Sequence, residues 1–261
     1  MPVLPFAPNP EDFNFAVSRG NFFDVENGFV FGLTQTIPAV PQDVWNGNGV
    51  YPGQPISNLS DSLDITSSNA GDSLAGGGAH AYLVIGLESV LSTEYTREIV
   101  AAHPTDGTIA VTTAGNFYRV SRIQVLTAGA NQGALGTITV NHTTVPANVF
   151  CVVPVGFNRS QIGTYTVPAG HVLTADHIIL STRRAGGNLS GNAVVSAKGR
   201  APGGVFESLF TFPITSGPPI TVPLDNIGNI PPGTDLKFTV IESSDTDTIV
   251  SALLTFTQRP I

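Results

Sequence analysis

From about residue 57 onward, Gly, Asn or Pro interrupts the chain every ten residues or so, and Ser, Thr, Val and Ile dominate the stretches between. Breakers at that interval leave no room for long helices, and the β-branched residues between them favour short strands. Apolar and polar residues alternate in Thr93–Ile99, Tyr118–Val125 and Asp235–Ile241, as required when one face of a strand is buried. Pro168-Ala169-Gly170 and Pro231-Pro232-Gly233 fit tight turns in which proline presets φ. No segment sustains a 3.6-residue period. The expectation is an all-β chain with strands near 62–67, 80–88, 92–100, 108–113, 117–127 and 135–144, then near 149–157, 162–167, 171–183, 191–200, 204–215, 219–224, 235–242 and 247–258. These divide into two tandem β-sandwiches, 57–145 and 146–261. The eight strands of the second match a jelly roll.

Residues 1–56 read differently. They hold Phe6, Phe13, Phe15, Phe22, Phe23, Phe29, Phe31, the single Trp45 and Tyr51 among many Pro, Gly and Asn, with no sustained period. Disordered tails are poor in aromatics, so this stretch reads as an extended docking arm that buries its rings against its own globular part or a neighbouring subunit. The charge is concentrated here as well. Of a net −8, residues 1–75 carry −7, from Glu11, Asp12, Asp24, Glu26, Asp43, Asp61, Asp64 and Asp72 against Arg19. Burying unpaired carboxylates is costly, so Asp24, Glu26 and Asp43 are expected either at a wet rim or against basic residues of a partner.

An acidic chain with one basic pair, Arg183-Arg184, is not built to track phosphates, and no nucleic acid is expected as a partner. No apolar run reaches the length of a membrane span, and the proline-broken start lacks the pattern of a secretory leader. Cys151 stands alone in Val149–Val153 and reads as a small buried hydrophobe. The candidate chemistry is thin. Glu94 and Glu98 on one strand would be about 13 Å apart, too far for a glycosidase pair. Glu242–Asp247 offers oxygen ligands without a calcium loop's spacing or glycine, and reads as a turn. His171 and His177 lack the further converging ligands of a zinc site; His80, His103 and His142 lie in unrelated segments. Gly76-Gly77-Gly78 precedes a strand, not the helix N-terminus of a phosphate site. Neither a catalytic constellation nor a metal or cofactor is expected.

One set of segments is distinctive: Ser18-Arg19-Gly20-Asn21, Val30-Phe31-Gly32 and Pro41-Gln42-Asp43-Val44-Trp45-Asn46-Gly47-Asn48-Gly49-Val50-Tyr51, followed by Ser68–Ala79, Ile85–Glu88, Phe117–Val120, Gly136–Val140 and Tyr165–Gly170. Together they resemble a pattern, R-G-N, K-F-G and P-E-D-V-W-D-G-G-G-x-Y, of virion structural proteins of tailed bacteriophages and large algal viruses. Three positions depart from it: Val30 for a basic residue, Gln42 for Glu, and Asn48 inside the glycine triplet. The resemblance implies a non-enzymatic component of the virion, a capsid decoration (cement) or minor capsid protein. It also implies self-association, often threefold, and contacts with other virion proteins such as the major capsid protein. On this reading the partner-docking residues are the nine aromatics of the arm. The alternative expectation is a tail- or fibre-associated module recognising a host surface glycan. A depolymerase ranks third.

Overall fold

The computed structural model describes residues 25–55, 59–185, 191–224 and 228–261. Phe6, Phe13, Phe15, Phe22 and Phe23, with Glu11, Asp12 and Asp24, lie outside the described residues. Within them the chain is all-β. Sixteen strands run as β1 (Glu26–Leu33), β2 (Gln42–Asp43), β3 (Leu63–Ser67), β4 (Ala79–Leu87), β5 (Thr96–Ala101), β6 (Val111–Thr112), β7 (Arg119–Ala128) and β8 (Ile138–His142), then β9 (Val149–Val153), β10 (Thr164–Thr166), β11 (His171–Arg184), β12 (Asn192–Arg200), β13 (Glu207–Thr215), β14 (Ile220–Pro223), β15 (Asp235–Ser243) and β16 (Thr248–Pro260). No helix among the described residues is long and apolar enough to cross a membrane.

Every ladder is antiparallel, in four sheets. The orders β6-β3-β8-β9 and β5-β4-β7 surround one apolar core, which holds Leu63, Val84, Phe117, Ile123, Phe150 and Cys151. The orders β1-β16-β11-β14 and β10-β15-β12-β13 surround the other, which holds Val30, Leu173, Val195, Phe238, Val240 and Phe256. Alternation explains the packing: β3 and β8 each bury every second residue, as a strand with one face on a core must.

Two sequence boundaries move. Strand β9 pairs with β8, and Phe150, Val153 and Ile162 all belong to the first core, so that core keeps the chain well past 145. The cause is a short hairpin between β8 and β9, whose local pairing keeps β9 beside its sequence neighbour. The second core instead recruits residues from the expected arm. Strand β1 pairs along β16 from Glu26↔Gln258 to Leu33↔Ser251, and Val30, Ile37 and Val44 are buried there. Residues 25–55 are thus part of the folded body. Strand β2 lies end to end with β10 along one edge of β15. At that junction the chains come so close that a Cβ on Gly32 would sit 2.4 Å from both Gly163 N and Val44 O, which only glycine permits.

The glycine-rich stretch around Gly76–Gly78 folds about Asp72, which is fully buried. Its carboxylate accepts the N–H groups of Ala79, Leu135 and Gly136, each at 2.8 Å, and the Ser67 hydroxyl at 2.5 Å. An anion already holds these donors, so the loop is a clamp joining two sheets rather than a phosphate cradle.

Candidate docking surface and the connector behind it

The segment that carried the strongest resemblance forms the connector between the two cores. Successive strand side chains point to opposite faces, so Val44 enters the second core and Trp45 the first. Asp43 is nearly inaccessible. Its Oδ2 accepts the Tyr51 N–H (2.8 Å) and the Lys237 ammonium (2.8 Å), and its Oδ1 the Thr239 hydroxyl (2.7 Å). Trp45 Nε1 donates to Gly49 O at 3.1 Å, and the indole meets the Tyr51 ring edge-on with centroids 5.1 Å apart. The indole folds back over Gly47, where a Cβ would lie 2.1 Å from it.

The three departures from the family pattern each have a local reason. Val30 is a core residue of β1. Gln42 Nε2 donates to Thr36 O at 2.7 Å, a bond a glutamate could not make. Asn48 takes φ 60° beside Gly49 at φ 70°, and asparagine tolerates that left-handed backbone better than most residues.

These contacts correct part of the docking expectation. Trp45 and Tyr51 are buried in the chain's own core and are not available to a neighbour. Asp43 finds its cation within the chain, on Lys237. Burial drives the Tyr51 phenol well above its ordinary value. Phe31 is half-buried, and of the described arm aromatics only Phe29 is exposed, at 54 %.

A buried ionic lock fastens the cores to each other. Arg119 on β7 grips Asp235 at the start of β15 through Nε (3.2 Å) and Nη2 (3.1 Å), while Arg200 on β12 closes on the same carboxylate. Two guanidiniums face one carboxylate. The excess donors go to main-chain carbonyls: Arg119 to Pro55 O (2.9 Å) and Tyr118 O (3.0 Å), Arg200 to Gln54 O (2.8 Å). A buried charge unpaired in this way would otherwise be expensive. The lock therefore ties β7 of one core to β12 and β15 of the other, with the 54–55 connection between them.

Beside the lock lies a groove of about 800 Å³ between the two bodies, walled by β1 and β16 on one side and by β4, β5 and β7 on the other. Its aromatic floor is continuous: Tyr95 and Tyr165 have centroids 5.4 Å apart, Tyr165 and Phe256 4.7 Å. Tyr95 donates its hydroxyl to Thr166 O at 2.7 Å and Tyr165 to Gln258 Oε1 at 2.6 Å, so both phenols have partners and burial raises both pKa values.

The opposite wall is cationic. Arg97 on β5 and Arg122 on β7 both pair with Ile85 of β4, one from each side, which puts all three side chains on one face. Arg159 bridges Gln124, two residues beyond Arg122, and so joins that face. The Arg159 guanidinium sits 5.3 Å from the Phe29 ring centroid, within cation–π range. Desolvation, then repulsion from Arg159 and Arg97, lowers the Arg122 pKa, and Arg122 Nε is buried without a hydrogen-bond partner. Among the described residues no ion pair involves Arg97, Arg122 or Arg159. Tyr118–Val125 and Thr93–Ile99 were read as strands from the sequence. That their arginines converge depends on register, which only the pairing with Ile85 reveals.

The other candidates are engaged locally. Glu98 accepts the N–H groups of Ala114 (2.6 Å) and Gly115 (3.0 Å). Arg184 pairs with Asp245 (3.3 Å) and Asp247 (2.9 Å). His142 is buried, stacked on Phe150 with Nδ1 2.9 Å from Asp61 Oδ2, and His80 contacts Gly76 O at 2.9 Å. Cys151 is fully buried, which raises its thiol pKa.

No family model and no curated protein matches the chain. Among solved structures, the chain is similar to a structure of the infectious bursal disease virus Gt strain, at 11 % identity over 91 % of this chain and 73 % of that one, with a TM-score of 0.23. It is also similar to a crystal structure of an infectious bursal disease virus VP2 subviral particle, at 10 % identity over 91 % of this chain and 75 % of that one, with a TM-score of 0.13. Overlaps this loose carry no argument about fold or function.

Proposed function

We propose that the chain is a structural protein of a virion, of the tailed-bacteriophage and algal-virus kind its sequence resembles. In this reading each pair of sheets is a β-sandwich, and the two sandwiches form a rigid, non-enzymatic building block. It associates with copies of itself and with other virion proteins such as the major capsid protein, as a capsid decoration or minor capsid component. The observation that carries the reading is the state of the resembling segment. Gln42, Asp43, Val44, Trp45 and Tyr51 are all buried in a connector that holds two cores together, a mechanical role that suits a protein whose task is to keep its shape. The docking role falls to the part of the arm before Val25, with Phe29 at its base.

The test is incorporation into particles. Particles lacking the chain are incubated with the full-length protein or with a version lacking residues 1–24, then purified and assayed for bound protein. The reading expects the full-length chain to bind at a fixed ratio and the truncated chain to bind at least about tenfold less. Equal occupancy by both would remove the docking role from the arm. Binding by neither, with a glycan-array signal from the same protein, would favour the receptor-binding alternative.

A further inference from the structure

Three arginines converge on the cationic wall of the groove, and among the described residues no carboxylate closes on them. We infer that Arg97, Arg122 and Arg159 form a binding site for a single oxyanion group, a carboxylate, sulfate or phosphate, carried by a free ion or by a small saccharide.

The backbone brings the three together. Val84 enters the first core, so its neighbour Ile85 faces the other way, into the groove. Arg97 and Arg122 flank Ile85 on its two sides. Neighbouring strands lie about 4.8 Å apart, which sets the two Cα atoms about 10 Å apart, a gap that two arginine side chains span. Arg159 joins from beyond β7 through the bridge to Gln124. Desolvation, then the charges of Arg159 and Arg97, lowers the Arg122 pKa. Gathering like charges and partly burying one of them is unfavourable, and an anion seated among them offsets both effects.

The neighbouring groups leave the arginines' donors open. Glu26 and Glu94 line the same groove without coming within ion-pair distance. Glu98 points to the opposite face and accepts the Ala114 and Gly115 N–H groups. Arg122 Nε is buried with no hydrogen-bond partner. Arg159 and Gln161 line an open hollow of about 420 Å³ beside β7, and Gln161 Oε1 is likewise buried without a partner. The site therefore offers one acceptor beside its donors, which suits an oxyanion with a hydroxyl, as in hydrogen phosphate or a sugar acid.

The setting selects a small ligand. The chain carries a net −8, and two glutamates share the groove with the arginines. A polyanion meets repulsion beyond its first group, whereas a single oxyanion meets planar guanidinium forks that match it. The inference does not depend on the virion reading.

The arginine Nε–H resonances of the isotope-labelled full-length protein test it. Inorganic phosphate, inorganic sulfate and glucuronate are titrated in turn at constant ionic strength, with chloride as the control. At least one of them shifts the Arg122 resonance, assigned by its loss in Arg122→Lys, along a saturable curve with a Kd at or below about 1 mM. Arg97→Gln, at an exposed position outside both cores, weakens that binding at least about fivefold and leaves the thermal midpoint within about 2 °C of the wild type. Tighter binding of glucuronate than of the inorganic ions places the oxyanion on a sugar, and the reverse order makes it a free ion; either supports the site. Shifts that grow linearly and match those of chloride, or saturable binding indifferent to Arg97→Gln, would overturn the inference. A heparin hexasaccharide that bound more than about tenfold tighter than sulfate would overturn the single-group assignment, because it would show a surface that tracks a polyanion.

Discussion

Trp45 shows how a single residue separates two accounts of this chain. As an interface anchor it would be silent in the isolated protein and decisive on assembly. Buried as it is between Tyr51 and Ile162, Trp45→Ala removes a large core side chain and is expected to destabilise the isolated protein by about 3–5 kcal/mol, which thermal unfolding reads as a drop of about 10 °C. Asp235→Asn acts at the other end of the connector. It leaves Arg119 and Arg200 as buried cations without a counter-charge and is expected to lower stability by about 3–5 kcal/mol, measured by denaturant unfolding. Asp61 adds a pH signature. A hydrogen bond from the Thr144 side chain, helped by main-chain N–H groups of Thr144 and Ser62, holds its carboxyl below the ordinary range. A carboxyl depressed in the folded state stabilises above its unfolded value, near about 3.9, and that contribution disappears as pH falls through the folded value. The stability advantage of the wild type over Asp61→Asn is therefore expected to shrink below about pH 4 in unfolding curves taken across that range.

The strands taught different lessons on either side of residue 57. Beyond it, each expected strand has a counterpart, because alternation and turn residues are local signals that survive in one sequence. Before it, β1 escaped notice. Its sequence, Glu26-Asn27-Gly28-Phe29-Val30-Phe31-Gly32-Leu33, contains two glycines and opens on polar residues, so neither propensity nor period marks it. Its strand state comes from a ladder to β16, more than two hundred residues away, and no local rule reaches that far. The same holds for the groove: Arg97 and Arg122 were visible as strand residues, but their meeting across Ile85 is a matter of register. Truncation makes the point testable. Removing residues 1–24 keeps every described residue of both cores and the connector, and the product is expected to unfold as one cooperative transition with a midpoint near that of the full chain. Removing residues 1–56 strips Val30, Ile37, Val44, Trp45 and Tyr51 from the two cores and bares the β16 edge, an open template for aggregation. That product is expected to be insoluble on expression. Recovery of a soluble, cooperatively folding 57–261 fragment would show that the arm and body are separable after all.

At the scale of the molecule, the acidity that looked like a property of a docking tail divides in two. Asp43, Asp61 and Asp72 are built into the body by Lys237, by His142 with Thr144, and by main-chain N–H groups. Glu11, Asp12 and Asp24 precede the described residues. Among the described residues, a buried ionic lock and a stapled connector join the two cores. The most direct measurement is an averaged cryo-electron-microscopy map of purified particles from the source of this chain, with mass spectrometry of the same particles. The account predicts the chain among the particle's proteins, and density for its two-cored body at symmetry-related positions, each copy touching a neighbour through the segment that precedes Val25. Absence of the chain from purified particles would contradict it.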